Sequence, residues 1–294
     1  MPAQSDEMAA FLRIVERGGF AAAAQGFPLT PSALSKLVSR LEARLGVRLL
    51  ARTTRRIALT PEGETYLSRA RDILALIEAA EADVTTGLAR PRGHLRVNTG
   101  SAYAKHRLIP LLPGFLARYP EITLDLAIND HRVDLVAAQA DVALRTGTLE
   151  DSTLVARKLG EGPRVICAAP AYLARRGTPM VPRDLLGHDC IVLHGLSRLP
   201  AWPFREGEGI VTLPVRGRLT SDGADALVDM AQAGLGIIRV TEFLVAEAIA
   251  AGRLVPLLEA AHASESVPVW AVMAPGRHRM PRVQAFVDYL AEAR

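Results

Sequence analysis

Residues 30–60, TPSALSKLVSRLEARLGVRLLARTTRRIALT, carry three local signals whose order decides the fold. Thr30 followed by Pro31 is a helix start: a threonine hydroxyl can accept from an orphan backbone N–H, and proline at the first helical position has no N–H to leave unpaired. Leu34, Leu37, Val38, Leu41 and Leu45 then recur at the spacing of one helical face, while Ser32, Ser35, Lys36, Ser39 and Arg40 fall on the opposite one. Gly46 ends the helix. Residues 47–50 and 57–59 read as short strands flanking Arg52-Thr53-Thr54-Arg55-Arg56, a small basic wing. Lys36, Arg40, Arg44, Arg48, Arg52, Arg55 and Arg56 stand in this stretch against a single acid, Glu42.

On the N-terminal side, residues 8–16 have apolar side chains at 8, 11, 12 and 15 and predict a helix that stops at Gly18-Gly19. Residues 20–25 predict a short alanine-rich helix, broken by Gly26-Phe27-Pro28. On the C-terminal side, Thr60-Pro61-Glu62-Gly63 repeats the cap-plus-proline start. Tyr66, Ala70, Ile73, Ile77, Ala80 and Val84 follow at alternating spacings of four and three, a heptad seam. A helix over 61–86 would be about 39 Å long at 1.5 Å per residue, and its apolar seam requires a partner. Residues 87–93 read as a linker. Beyond it strands and helices alternate: strands at 95–97, 122–128 and 141–145, helices at 105–119 and 132–139, then a second set from 164 onward. Such alternation predicts an α/β domain with a largely parallel sheet.

The residues of the 30–40 helix suit the DNA major groove, which admits a helix whose N-terminal side chains reach base edges. Ser32, Ser35 and Ser39 are short donors and acceptors, and Lys36 and Arg40 reach bases or phosphates. The tight turn before them completes a helix-turn-helix, with the wing of Arg52, Arg55 and Arg56 along the phosphate backbone. A net charge of +4 and a pI of about 9.4 are compatible with a polyanionic partner.

The runs Phe11-Leu12-Arg13-Ile14-Val15-Glu16, Gly19-Phe20, Ala23-Ala24, Pro31-Ser32-Ala33-Leu34-Ser35, Leu41-Glu42-Ala43-Arg44-Leu45-Gly46-Val47-Arg48-Leu49-Leu50, Arg52-Thr53-Thr54-Arg55 and Leu59-Thr60-Pro61-Glu62-Gly63 together resemble the N-terminal domain of LysR-type transcriptional regulators. The resemblance implies an all-α winged helix-turn-helix over 1–60, a dimerisation helix over 61–88 and a hinge at 89–92. A two-lobed α/β, periplasmic-binding-protein-like effector domain of type 2 follows, with one lobe from 93–163 and 267–294 and the other from 164–266. It places DNA contacts on Pro31, Ser32, Ser35, Lys36 and Arg55. It also implies a homodimer or homotetramer on promoter DNA, a small-molecule effector and contact with RNA polymerase. Two departures fall on the turn: Gly19 stands where a serine cap is frequent, and Phe27-Pro28 replaces a commoner pair.

In a two-lobed α/β receptor a ligand sits at strand ends and helix N-termini, where free N–H groups favour anions. Under the implied architecture three places qualify: Thr99-Gly100-Ser101, Arg145-Thr146 and Ser221-Asp222. Trp202 would supply an apolar wall, and the ligand is expected to be anionic.

Other chemistry is not expected. Cys167 and Cys190 lack metal-ligand or disulfide spacing, and the seven histidines are scattered. There is no HExxH, GxSxG or P-loop, so neither an enzyme nor a cofactor is expected. Gly234-Leu235-Gly236 lacks the third glycine of a dinucleotide fingerprint and reads as a tight turn. No apolar run approaches the roughly 18 residues of a membrane span, and no export segment is apparent, which predicts a cytoplasmic protein. The alternative is a receptor or enzyme of the same α/β build whose N-terminal helices serve assembly only.

Overall fold

The computed structural model describes residues 4–25, 28–52, 57–84, 91–130, 140–149, 152–193 and 201–293. They form two units, residues 1–90 with 279–281 and residues 91–278 with 282–294. In the first unit α1 (Gln4–Arg17), α2 (Phe20–Ala24) and α3 (Pro31–Leu45) bring Phe11, Ile14, Ala23, Leu34, Val38 and Leu41 into one core without solvent exposure. Gly18, at φ +72°, closes α1 in a left-handed conformation that costs a glycine little. Arg13 fixes the next turn by donating to the Ala23 carbonyl at 2.7 Å and the Gln25 carbonyl at 3.0 Å. Leu45, expected on the buried stripe, lies in the last turn of α3 and is 37% exposed.

The wing is the antiparallel pair β1 (Leu50–Arg52) and β2 (Ile57–Leu59), with Leu50 opposite Leu59. Its first strand begins at Leu50 rather than Val47, and Glu42 supplies the physical reason. The Glu42 side chain turns inward and its Oε1 accepts the Leu49 and Leu50 N–H groups at 2.8 and 3.0 Å, which pins the chain where the hairpin opens. Next, α4 (Pro61–Val84) starts on a threonine cap, the Gly63 N–H donating to Thr60 Oγ1 at 3.0 Å. A Cβ on Gly63 would stand 2.1 Å from the Leu49 carbonyl oxygen, so glycine is what lets α4 begin so close to the hairpin.

The second unit opens with β3 (Gly93–Thr99) and a continuous helical run. That run comprises α5 (Ser101–Tyr103), a π-helical turn at Ala104–Leu108 and α6 (Ile109–Arg118), so the helix expected at 105–119 begins four residues earlier. It is followed by β4 (Ile122–Ile128), β5 (Val142–Thr146) and the long β6 (Val155–Ala168). The helix expected at 132–139 lies outside the described residues. Then come α7 (Pro170–Arg176), β7 (Val192–Leu193), the hairpin β8 (Ala201–Glu206) and β9 (Gly209–Pro214), β10 (Thr220–Ser221) and α8 (Ala224–Gln232). The chain ends with β11 (Ile238–Thr241), α9 (Ala246–Ala250), β12 (Val255–Pro256), β13 (Ser266–Met273) and α10 (Pro281–Glu292).

The strand order is β11-β6-β13-β5-β3-β4, with β12 also on β6. Among the strand pairs of the described residues, β3 with β4, β3 with β5 and the small β7–β10 pair are parallel; β13 runs antiparallel to both β5 and β6, and β11 antiparallel to β6. The expected largely parallel sheet is therefore mixed. The cause is the two-lobed chain path: β6 carries the chain from one lobe to the other and β13 brings it back. Along β6, residues 155–163 pair with β13 and residues 164–167 with β11, so a single strand belongs to both lobes.

Candidate functional site

The N-terminus of α3 is fixed as the sequence predicts, with Thr30 Oγ1 accepting the Ala33 N–H at 3.2 Å. Pro31, Ser32, Lys36, Ser39 and Arg40 are exposed, and Ser35 is half-buried on the same side. Two acids that could neutralise this face are directed elsewhere: Glu42 is buried beneath the wing, and Glu7 pairs with Arg44 at 3.0 Å. That pairing holds the Arg44 pKa above the ordinary guanidinium value. The exposed half of α3 is thus left basic and hydroxyl-bearing. Arg52 ends β1, while Arg55 and Arg56 lie outside the described residues.

The seam along α4 divides. Tyr66, in edge contact with Phe11 at 5.6 Å, and buried Ala70 pack on the head. Farther along, Ile73, Leu76 and Ile77 are 42%, 55% and 37% exposed. An apolar stripe left exposed along so long a helix is the kind of face that helices bury against a partner.

In the second unit a cavity of about 290 Å³ lies between the two lobes. From the first lobe it is lined by Gly100, Tyr103, Asn129, Asp130, Arg145 and Thr146; from β6 and the second lobe by Arg164, Asp222, Leu227, Arg239 and Phe243. Arg145 is held by Asn98 Oδ1 at 2.6 Å and by the Leu144 carbonyl at 3.1 Å. Arg239 donates to His262 Nε2 at 2.9 Å and pairs with Glu265, which also lies 3.0 Å from Arg164 Nε. Burial lowers the Arg239 pKa, the Glu265 hydrogen bond opposes that effect, and the guanidinium stays charged. Contacts around the π-helical turn bridge the lobes: Tyr103 meets Phe243 edge-on at 6.1 Å, Arg107 lies 5.6 Å from the same ring, and His106 Nε2 is 3.1 Å from Asp225 Oδ1.

Of the residues expected at the effector site, Gly100, Arg145, Thr146 and Asp222 line this cavity. Thr99 is wholly buried in β3. Ser101 gives its N–H and Oγ–H to Asp130 at 2.9 and 2.7 Å, so its anion-binding groups are already occupied. Ser221 Oγ accepts the Gly223 N–H at 3.2 Å as a turn. Trp202 is a correction: on β8 it packs in the second-lobe core with Tyr172, Leu185 and Phe204, 5% exposed, and forms no cavity wall. The aromatic wall comes from Tyr103 and Phe243 instead. Sequence reading missed these two together with Asn129, Asp130, Arg164 and Arg239. Only Arg239 stands near a recognisable motif, directly after the Gly234–Gly236 turn.

Among the described residues no helix is long and apolar enough to cross a membrane, and no group of three metal-ligating side chains occurs. A helix-turn-helix head joined to a two-lobed receptor module defines a DNA-binding transcriptional regulator with an effector-binding domain. Residues 5–64 match the family described as bacterial regulatory helix-turn-helix protein, lysR family, and residues 88–294 match the LysR substrate binding domain. Along 292 residues the chain is 36% identical to the HTH-type transcriptional regulator CrgA of Neisseria meningitidis serogroup C (strain 8013), spanning 99% of this chain and 97% of that protein. The solved structure of CrgA, a LysR-type regulator from Neisseria meningitidis, aligns over 100% of this chain and 99% of its own, with TM-score 0.66 and 35% identity. Full-length AphB, a virulence activator of Vibrio cholerae, aligns over 98% of both chains with TM-score 0.60 and 25% identity. The chain belongs to the LysR family of transcriptional regulators. Regulators of this family bind DNA and oligomerise.

Proposed function

We propose that this regulator reads a promoter operator with α3 and changes its grip when an anionic small molecule enters the cavity between the lobes. Pro31, Ser32, Ser35, Lys36, Ser39 and Arg40 meet the major groove, and Arg52, Arg55 and Arg56 hold the flanking phosphates. The observation that carries the reading is the basic exposed face of α3, from which Glu42 and Glu7 are turned away. The apolar stripe of α4 joins two heads into a dimer, and two dimers make a homotetramer. Arg145, Arg164 and Arg239 at the cavity favour an effector with a carboxylate. The protein works in the cytoplasm, carries out no catalysis, needs no cofactor and contacts RNA polymerase from the operator.

Effector binding can act only through unequal affinity for two lobe arrangements, which the assembly passes to the spacing of the heads. The experiment is to capture genomic fragments with the full-length chain and footprint them with and without metabolites of the neighbouring genes. Two protected half-sites whose spacing or bend changes with one metabolite are expected. Equal footprints with a metabolite that demonstrably binds would contradict the coupling, and the absence of any protected site would contradict DNA reading.

A further inference from the structure

The lining of the cavity also holds carboxylates that an anion would leave unsatisfied. Asp130 enters from the end of β4 in the first lobe, and Asp222 enters from the loop before α8 in the second. Among the described residues the Asp130 carboxylate accepts two hydrogen bonds, both from Ser101, and neither it nor Asp222 has a cationic partner. Asn129, beside them in the cavity lining, has its Oδ1 buried with no hydrogen-bond partner. The two lobes bring these groups together: Asp130 Oδ2 lies 3.7 Å from where a Cβ on Gly223, next to Asp222, would stand. A solvent-accessible carboxylate from each lobe thus stands beside an orphaned amide oxygen, and of the three it is the buried Asn129 Oδ1 for which a missing donor is costly.

Also in the lining, Arg164 and Arg239 share the carboxylate of Glu265, so among the described residues two guanidinium charges face one carboxylate, and Arg145 stands on β5, separated from β6 by β13. Tyr103, Leu144, Leu227 and Phe243 supply apolar lining. We infer that the effector is a compact zwitterion of the amino-acid class, its carboxylate toward Arg145, Arg164 and Arg239 and its ammonium between Asp130 and Asp222. An ammonium offers three donors and a positive charge to these acceptors. It also relieves the repulsion that two like charges from opposite lobes feel on closing. A ligand with a carboxylate and no cation answers the guanidinium groups and leaves the two carboxylates without a counter-charge.

This inference rests on the reading that the cavity holds the effector, and its test separates the two. The full-length protein is titrated by calorimetry with each common amino acid, its 2-oxo acid and its decarboxylated amine. One amino acid is expected to bind about tenfold or more tighter than both of its counterparts, the scale of one charge-assisted hydrogen bond. Asp130→Asn removes that advantage and leaves a binder that no longer distinguishes the amino acid from the 2-oxo acid; Asp222→Asn serves as the second variant should the first not fold. If a 2-oxo acid binds as tightly as its amino acid and Asp130→Asn changes nothing, the zwitterion is overturned while the anionic effector stands. If no member of the panel binds, both are overturned.

Discussion

Replacing Glu42 by alanine tests how the reading helix and the wing are joined. The Glu42 carboxylate accepts two backbone N–H groups, from Leu49 at 2.8 Å and Leu50 at 3.0 Å, in a setting where the residue is 8% exposed. A hydrogen bond to a charged group contributes about 1.5–3 kcal/mol, and a buried donor left unpaired costs about 1–3 kcal/mol. With two donors stranded and part of the loss recovered by entering water, about 3 kcal/mol is expected for Glu42→Ala. That amounts to roughly a hundredfold in local opening at about 1.4 kcal/mol per factor of ten. Glu42→Gln keeps an acceptor oxygen in place and should lose about 1 kcal/mol, the difference between charged and neutral acceptors. Hydrogen exchange of the peptide spanning residues 47–52 in the full-length protein measures this directly, because it reads local opening rather than global unfolding. Protection should fall about a hundredfold in Glu42→Ala and about fivefold in Glu42→Gln. Unchanged protection in the alanine variant, or equal losses in the two, would refute the anchoring role.

Three further outcomes follow from the second unit. Buried Asp141 accepts the Arg96 N–H at 2.9 Å and pairs with Arg277, so Asp141→Ala should cost about 3–5 kcal/mol, seen as a lower midpoint for effector-domain unfolding in urea. Burial, helped by nearby Arg239, pushes the His262 pKa down to about 4. Because the unfolded chain then binds an extra proton between pH 6.5 and 4, the contribution is complete above pH 6.5 and is lost as pH falls through that window. A variant His262→Gln should flatten the stability profile there. Burial also pushes the Cys167 and Cys190 thiols up to about 12, so neither should react with a thiol reagent at pH 8 until the protein is unfolded; rapid labelling of the native chain would contradict this.

Much of the head was legible because its signals are local. Thr30, Pro31 and the leucine stripe define α3 whatever surrounds it, and the hydroxyl and basic side chains opposite follow from helical geometry. Glu42 was not legible as an anchor: an acid on an amphipathic helix reads as solvated, and only the returning backbone at 49–50 gives it a role. Leu45 fails the other way, since its spacing matches the stripe but the helix ends where no neighbour covers it. In the receptor half the strands β3, β4, β5 and β13 were visible, while the β8–β9 hairpin and most of β6 were not, and the antiparallel sense of β13 against β6 is a tertiary property that alternation cannot show. The same limit applies to the cavity. Trp202 belongs to a core that β8 and β9 help to build, and Asp130 and Asp222 come to line one cavity only when two lobes meet across about ninety residues of chain.

The central claim is that the exposed face of α3 grips operator DNA, and the salt dependence of binding tests it most directly. Full-length wild type, Lys36→Ala and Arg40→Ala are titrated onto a captured operator fragment at increasing salt. A steep fall in affinity is predicted for the wild type, with the slope of log K against log salt shallower by about one for each phosphate that a head no longer neutralises. Binding that is insensitive to salt, or slopes and affinities unchanged in both variants, would contradict the account.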